Sequence, residues 1–327
     1  MPYSLNKTFL VFLGLTALVI TYFVFYTPKQ SSLPIIAIAN YGPHASLEAT
    51  IAGLKEELGR KGLVENQDFV YEMLDANFDH TLIRQMLAKL KAQHPAVLVT
   101  VSTPVTQGAK TIHDIPIVFT DITSPLEVGL LKEENKANAN MTGASDRQDL
   151  RIFLSFAKKI LPHAKRIGLL YSTSDANDMA LVNMMQQAAK QFDMQVVLVP
   201  VEHANDVKLR MQAFKDKVDF IYVGVSGPIQ PSLPTIAAEG ARMHIPVFNA
   251  DEDAVKQHIV LGSCGVSYYK VGVNTADIVY DIFQGQDIST LPPRYPQQDD
   301  HQGYISKKVA DKFGINLSSL NNVTIVE

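Results

Sequence analysis

Apolar positions after residue 34 recur in two alternating rhythms. The short continuous runs Ile35–Ala39, Ala96–Val101 and Ile117–Thr120 read as buried strands, and Phe69, Tyr71 and Met73 alternate as one face of a strand. Between them Leu47, Ile51, Leu54 and Leu58 fall at helical spacing, and Leu82, Ile83, Met86, Leu87 and Leu90 do so again. Thr103-Pro104 opens a further helix with a capping hydroxyl and a proline in first position. The rhythm then restarts. Ile152, Phe156 and Ile160 line a helix followed by Pro162. Strands are expected at Arg166–Tyr171, Val196–Val201, Phe220–Val223 and Pro246–Asn249, and helices over Ala180–Phe192, Val207–Phe214 and Ile236–Met243. The remainder predicts a strand at Ile259–Gly262, a long helix over Tyr268–Phe283 ended by Gly285, one strand within Arg294–Ser306, and a short helix over Val309–Phe313.

Alternation of this kind predicts an α/β fold with parallel sheets covered by helices on both faces. Two such runs predict two similar doubly wound lobes. The segments after residue 259 read as the chain returning to each lobe in turn. The expected division is a first lobe of 34–145 plus about 265–295 and a second of 146–264 plus about 296–327. A multi-segment hinge would then lie near 144–147, 263–267 and 295–303.

Residues 1–33 stand apart. An apolar run from Phe9 to Tyr26, interrupted only by Gly14, Thr16 and Thr21, sits between Lys7 and Lys29. At about 1.5 Å per residue it is just long enough to span a bilayer as a helix. It ends in Tyr22-Phe23-Val24-Phe25-Tyr26, which offers no small-residue cleavage site, and no cysteine follows for lipid attachment. An uncleaved single-pass membrane anchor is therefore favoured over a cleaved signal, followed by the proline-bounded linker of residues 27–34.

Composition narrows the function classes. Hydrophobic residues at 46% and charged residues at 19% of 327 suit a packed globular protein. With a net charge of -4 and no basic block, a nucleic-acid role has no electrostatic support. The lone Cys264 can form no internal disulfide. Neither a Gly-x-Gly-x-x-Gly run nor a phosphate-binding loop is present, and Gly-Val-Ser226-Gly-Pro lacks nucleophile-elbow spacing. The nine histidines show no metal-ligand spacing, and Asp299-Asp300-His301 reads better as a solvated loop. No cofactor and no catalytic constellation is expected.

Six loops that follow predicted strands share a polar make-up: Asn40–His44, Ser102–Thr106, Thr120–Pro125, Ser172–Asn177, Gly224–Pro228 and Asn249–Asp251. Ligands in open α/β sheets sit beyond the carboxyl ends of the strands, where helix N-termini present free N–H groups. Each loop alone is an ordinary set of caps and turns; six in two lobes point to a shared cleft.

The loops also carry a resemblance. From about Ile35 to Ser318 the chain resembles the ABC-transporter substrate-binding proteins of the tryptophan/tyrosine-binding type. The matching stretches are Pro43–Ala49 with Gly53-Leu54, Gly62–Asp68, Ser102-Thr103-Pro104, Ile115–Phe119, Asn140–Gly143, Ile167–Tyr171 before Asn177, Ile245–Phe248 and Tyr268–Gly272. The resemblance implies a periplasmic binding protein type I-like fold, with hinged lobes closing on an amino acid, often aromatic. It also implies an ABC permease partner and lobes facing the periplasm or cell exterior. Carried over, Ser102, Thr103 and Thr120 would face the cleft from the first lobe, and Ser174, Asn177, Ser226 and Asp251 from the second. An amino-acid ligand needs an anion for its ammonium; Asp251 is the first choice and Asp121 the second, while Tyr41 could stack on an aromatic side chain. Two departures stand out: serine at position 102 where glycine is common, and no lipoprotein cysteine. The second leaves open a membrane-anchored sensing ectodomain not coupled to a transporter. A neighbouring permease and ATPase would favour the importer; a neighbouring kinase or cyclase would favour the sensor.

Overall fold

The computed structural model describes residues 33–224, 229–318, 320 and 323–327. The Phe9–Tyr26 segment and Ser226 lie outside the described residues. Among the described residues no helix is long and apolar enough to cross a membrane.

The first sheet collects β1 (Ile35–Asn40), β2 (Val70–Asp75), β3 (Val97–Val101), β4 (Ile117–Thr120) and β5 (Met141–Gly143). Its order is β2-β1-β3-β4-β5, with every pair parallel. Helices α1 (Ala45–Arg60), α2 (His80–Lys91) and α3 (Thr103–Ala109) connect the strands. Continuous apolar strands suit this arrangement, because both faces of the sheet are covered. Ile36, Ile38, Leu98, Val99, Val118 and Phe119 are fully buried in one core with Leu54, Leu58 and Leu90.

The second lobe begins with α4 (Leu150–Ile160), β6 (Arg166–Tyr171), α5 (Ala176–Gln191), β7 (Gln195–Pro200), α6 (Val207–Met211) and β8 (Phe220–Val223). It continues through α7 (Leu233–Arg242), β9 (Val247–Asn249), α8 (Glu252–Lys256) and β10 (Gly262–Val266). After α9 (Tyr268–Phe283) come β11 (His301–Ser306), α10 (Lys307–Lys312) and β12 (Thr324–Val326). The sheet order is β12-β11-β10-β9-β8-β6-β7. Phe153, Phe220, Tyr222 and Phe248 meet around one aromatic core, with centroids 4.4–6.2 Å apart.

Four sequence expectations need correction. The second sheet is mixed, because β11 runs antiparallel to β10, and its seven strands against five make the lobes less alike than expected. The strand expected at Ile259–Gly262 begins at Gly262 instead. Gly262-Ser263-Cys264-Gly265 lacks any apolar rhythm, yet tertiary pairing with β9 and β11 makes it a central strand. Residues 207–214 form a short α-helix followed by a 3-10 turn rather than one helix. The short strands β5 and β12 carry no period long enough to read.

Helix α9 follows β10 but packs against α1, on the first lobe. Their backbones nearly touch: a Cβ on Gly272 would lie 2.0 Å from the Thr50 carbonyl oxygen, and one on Gly53 2.1 Å from that of Tyr269. The chain then returns to the second lobe along the first crossing. Arg294 N–H donates to the Gly143 carbonyl and Ser145 N–H to that of Arg294, so the two crossing segments run side by side at residues 143–145.

Candidate functional site

The carboxyl ends of both sheets face one another, and the loops beyond them form the interior between the lobes. Two polar contacts bridge that interior. Ser46, in the first turn of α1, donates its hydroxyl to Asp251 Oδ2 at 2.5 Å. The Thr123 N–H donates to Asn177 Oδ1 at 3.3 Å. Both join residues carried by different sheets, so the lobes are closed on each other.

Near these bridges is a small cavity of about 20 Å³, room for about one water molecule, so a larger ligand enters only when the lobes part. The first lobe contributes Thr123, and the first crossing contributes Asp146 and Gln148. The second lobe contributes Leu150, Asn177, Leu181, Met184, Tyr222, Gly224 and Ala250, while Tyr268 starts α9. Gln148 spans the second lobe: its Nε2 donates to the Ala250 carbonyl at 3.2 Å, and its Oε1 accepts from Tyr222 Oη at 3.3 Å. Gly265 makes room for it, since a Cβ there would sit 2.6 Å from the amide. The wall is thus part apolar, part amide and phenol, with one carboxylate.

That carboxylate, Asp146, is 5% exposed, and its Oδ1 meets no donor among the described residues. Burial pushes its carboxyl up to about 6, opposed by the Thr123 side chain, which donates to it. Asp121, also 5% exposed, lies behind it after β4, with its Oδ2 likewise unmet. The Thr50 hydroxyl is 2.9 Å from Asp121 Oδ1 and 3.1 Å from the Tyr268 carbonyl, and donates to one at a time. Burial first, then the charge of Asp146, raises the Asp121 carboxyl well above the usual range. Asp121 has φ +56° and Ser102, at the end of β3, φ +82°; a non-glycine residue holds such a conformation only where its surroundings enforce it.

The residues singled out from sequence fall into three groups. Asn177 lines the cavity, and Asp121 adjoins it. Tyr41, Thr120 and Asp251 are buried but engaged within the protein. Tyr41 is 2% exposed, with Oη 2.8 Å from His80 Nε2 and its ring in a T-shaped pair with Phe78, so in this arrangement it is not open to a ligand. Thr120 Oγ1 accepts from Thr275 at 2.9 Å. Asp251 caps α8, its Oδ1 accepting from Asp253 N–H at 2.9 Å while Oδ2 takes the bond from Ser46. Ser102 carries no side-chain cap bond, and the Thr103 hydroxyl is buried without a partner among the described residues. Ser174 is exposed, its hydroxyl 2.9 Å from that of Ser172.

Sequence reading passed over Asp146, Gln148, Tyr222, Tyr268, Ser46 and Thr50. Asp146 sits in the segment already read as a hinge crossing, and Tyr222 is a polar aromatic near the carboxyl end of a buried strand. Both facts were available as signals.

A curated tyrosine-binding protein of Clostridioides difficile (strain R20291) is 27% identical over 258 residues, covering 79% of this chain and 74% of the relative. Two solved structures each cover 90% of this chain and 99% of their own. One, from Streptococcus pneumonia in complex with L-Trp, is 24% identical with a TM-score of 0.84 and shows the fold. The other is the ligand-free, open structure of a substrate binding protein with adhesive properties from Clostridium difficile, 25% identical with a TM-score of 0.70. The family model described as ABC transporter substrate binding protein matches residues 35–323, and to that family this chain belongs.

Proposed function

We propose that the chain is the extracytoplasmic solute-binding component of an ABC importer and that it encloses an amino acid between its lobes. A solute-binding protein of this family captures its ligand without bond chemistry, and hinge closure is how such lobes do so. The observation that carries the reading is the small buried pocket at Asp146 between the lobes, which parting of the lobes would widen for a ligand. Its one lining carboxylate lacks a full set of donors, and its amides, phenols and the Leu181–Met184 wall suit a ligand that is charged at one end and apolar at the other. The name of the Clostridioides difficile relative, tyrosine-binding protein, supports an aromatic amino acid. The Phe9–Tyr26 segment supports anchoring in the cytoplasmic membrane beside an ABC permease, with both lobes outside.

A thermal-shift screen of the common amino acids tests the ligand. A ligand bound only by the folded state stabilises it by RT ln(1 + [L]/Kd), about 2.7 kcal/mol at a hundredfold excess over Kd. Tryptophan, tyrosine or phenylalanine is expected to raise the midpoint. A flat response to every amino acid would remove the reading.

A further inference from the structure

Asp146 and Asp121 are unusual among the buried carboxylates of the interior. Asp175 and Asp251 cap helices, each accepting a backbone N–H. Asp178 Oδ2 accepts from Ser172 N–H at 2.7 Å. Asp146 and Asp121 each keep one oxygen that no described donor reaches. A carboxylate in that position is costly unless a cation or a proton neutralises it.

The groups that face the pair supply no cation. From α9 comes Tyr268, from β8 Tyr222, and from the cap of α8 Asp251, all neutral or acidic. His44, at the start of α1, lies by Asp251, and burial keeps its pKa below the ordinary value. Thr50 and Thr123 donate hydroxyls only. Arg147, next in sequence to Asp146, turns away to pair with Glu134 and stack on Tyr295. No lysine or arginine is among the groups that act on either carboxyl. Among the described residues nothing supplies the positive charge, which leaves the ligand or a proton as its source.

We propose that Asp146, backed by Asp121, seats the primary ammonium group of the ligand, and that the ammonium replaces a proton held by this carboxyl pair. The inference rests on the amino-acid reading of the cavity. The balance is simple: the neutral carboxyl gives its proton to solvent, the carboxylate accepts N–H donors, and no covalent bond forms or breaks. An ammonium has three donors and no acceptor, which suits the unmet Oδ1 of Asp146 and leaves donors for its neighbours. Because the two carboxyls interact, the proton belongs to the pair. Its more readily lost proton governs binding, and the rise of Asp146 to about 6 sets the window. Below that pH the free site is protonated and the bound site is not, so protons compete with ligand. Above it the site is already ionised, and affinity becomes independent of pH.

Calorimetry on the full chain in detergent tests this with L-tryptophan, L-tyrosine, tryptamine and indole-3-propionate. With the amino acids, the enthalpy at pH 5.5 should depend on the ionisation enthalpy of the buffer and report up to about one proton released, falling to none at pH 8. The dissociation constant should rise towards about tenfold per pH unit below pH 6. Tryptamine, which keeps the ammonium, should release the same proton; indole-3-propionate, which lacks it, should release none. Asp146→Asn should weaken the amino acids by about 30-fold or more. The same variant should abolish proton release and leave the unliganded midpoint equal or higher. That last readout separates loss of the seat from loss of the fold. Binding of the amino acids with buffer-independent enthalpy and a flat pH profile would overturn this inference alone. Failure of both amino acids and tryptamine to bind would overturn it together with the amino-acid reading.

Discussion

Replacing Ser46 by alanine removes a contact that exists only while the lobes are closed. Its hydroxyl hydrogen-bonds Asp251 Oδ2 at 2.5 Å across the interlobe space, and both residues are buried there. When the lobes part, the Asp251 carboxylate regains water while still capping α8 through its other oxygen. The cost of Ser46→Ala therefore falls on the closed state. A hydrogen bond to a charged group contributes about 1.5–3 kcal/mol net. At about 1.4 kcal/mol per factor of ten, the closed population and the apparent affinity should fall roughly 10- to 100-fold. Alanine favours helix and leaves the backbone contact from residue 46 to His44 Nδ1 in place, so each lobe should fold as before. Calorimetry with L-tryptophan or L-tyrosine reads the affinity, and solution scattering reads whether the unliganded variant is more extended than the wild type. A double-mutant cycle with Asp251→Asn should be strongly non-additive, because the two changes remove the same bond. An unchanged dissociation constant, with additive single effects, would refute the assignment of this contact as a latch of the liganded form.

The buried carboxyl of Asp146 makes the unliganded protein sensitive to pH. Its folded pKa of about 6 exceeds the ordinary 3.8, so the native state binds more protons between those values and loses stability as pH rises through them. Asp146→Asn should match wild type near pH 4 and exceed it by up to about 3 kcal/mol at pH 7 in denaturant unfolding without ligand; no gain at pH 7 would count against an uncompensated charge there. Asp251→Ala should cost both the latch and the α8 cap, with at least tenfold weaker binding and about 1 kcal/mol of stability; equal affinity would exclude Asp251 from closure. Gly272→Ala places a Cβ 2.0 Å from the Thr50 carbonyl and should destabilise the first lobe by about 1–3 kcal/mol or more, read by thermal unfolding; an unshifted midpoint would mean α1 and α9 separate freely. Mass spectrometry of protein extracted from membranes should find the Phe9–Tyr26 segment intact, and a mature chain starting near Thr27 would remove the anchor.

Elements with a long apolar rhythm were legible because their partners only confirm what the rhythm already favours. Arg166–Tyr171, Phe220–Val223 and Tyr268–Phe283 fall where the pattern places them. β10 was not legible, since Gly-Ser-Cys-Gly has no strand preference, and only the strands on either side make it one. The antiparallel β11 was hidden for a related reason: strand direction follows from where the chain re-enters the sheet, which a local period does not record.

The site divides in the same way. Polar loops after strands identify the region, because that placement follows from topology alone. They do not say which carboxylate in it is spoken for. Asp251 looks in sequence like the best anion for a ligand, yet a helix N-terminus begins immediately after it and satisfies it, as one does for Asp175. Asp146 precedes no such donor: α4 starts four residues later, under its own cap, Asp149. Its position in a crossing segment, beside the segment at Arg294, leaves its Oδ1 without a donor among the described residues. A local rule can therefore work against the carboxylates that stand just before helices. The physical criterion for a ligand's counter-ion is burial without donors, and it favours the acid on the hinge over the acids on the caps.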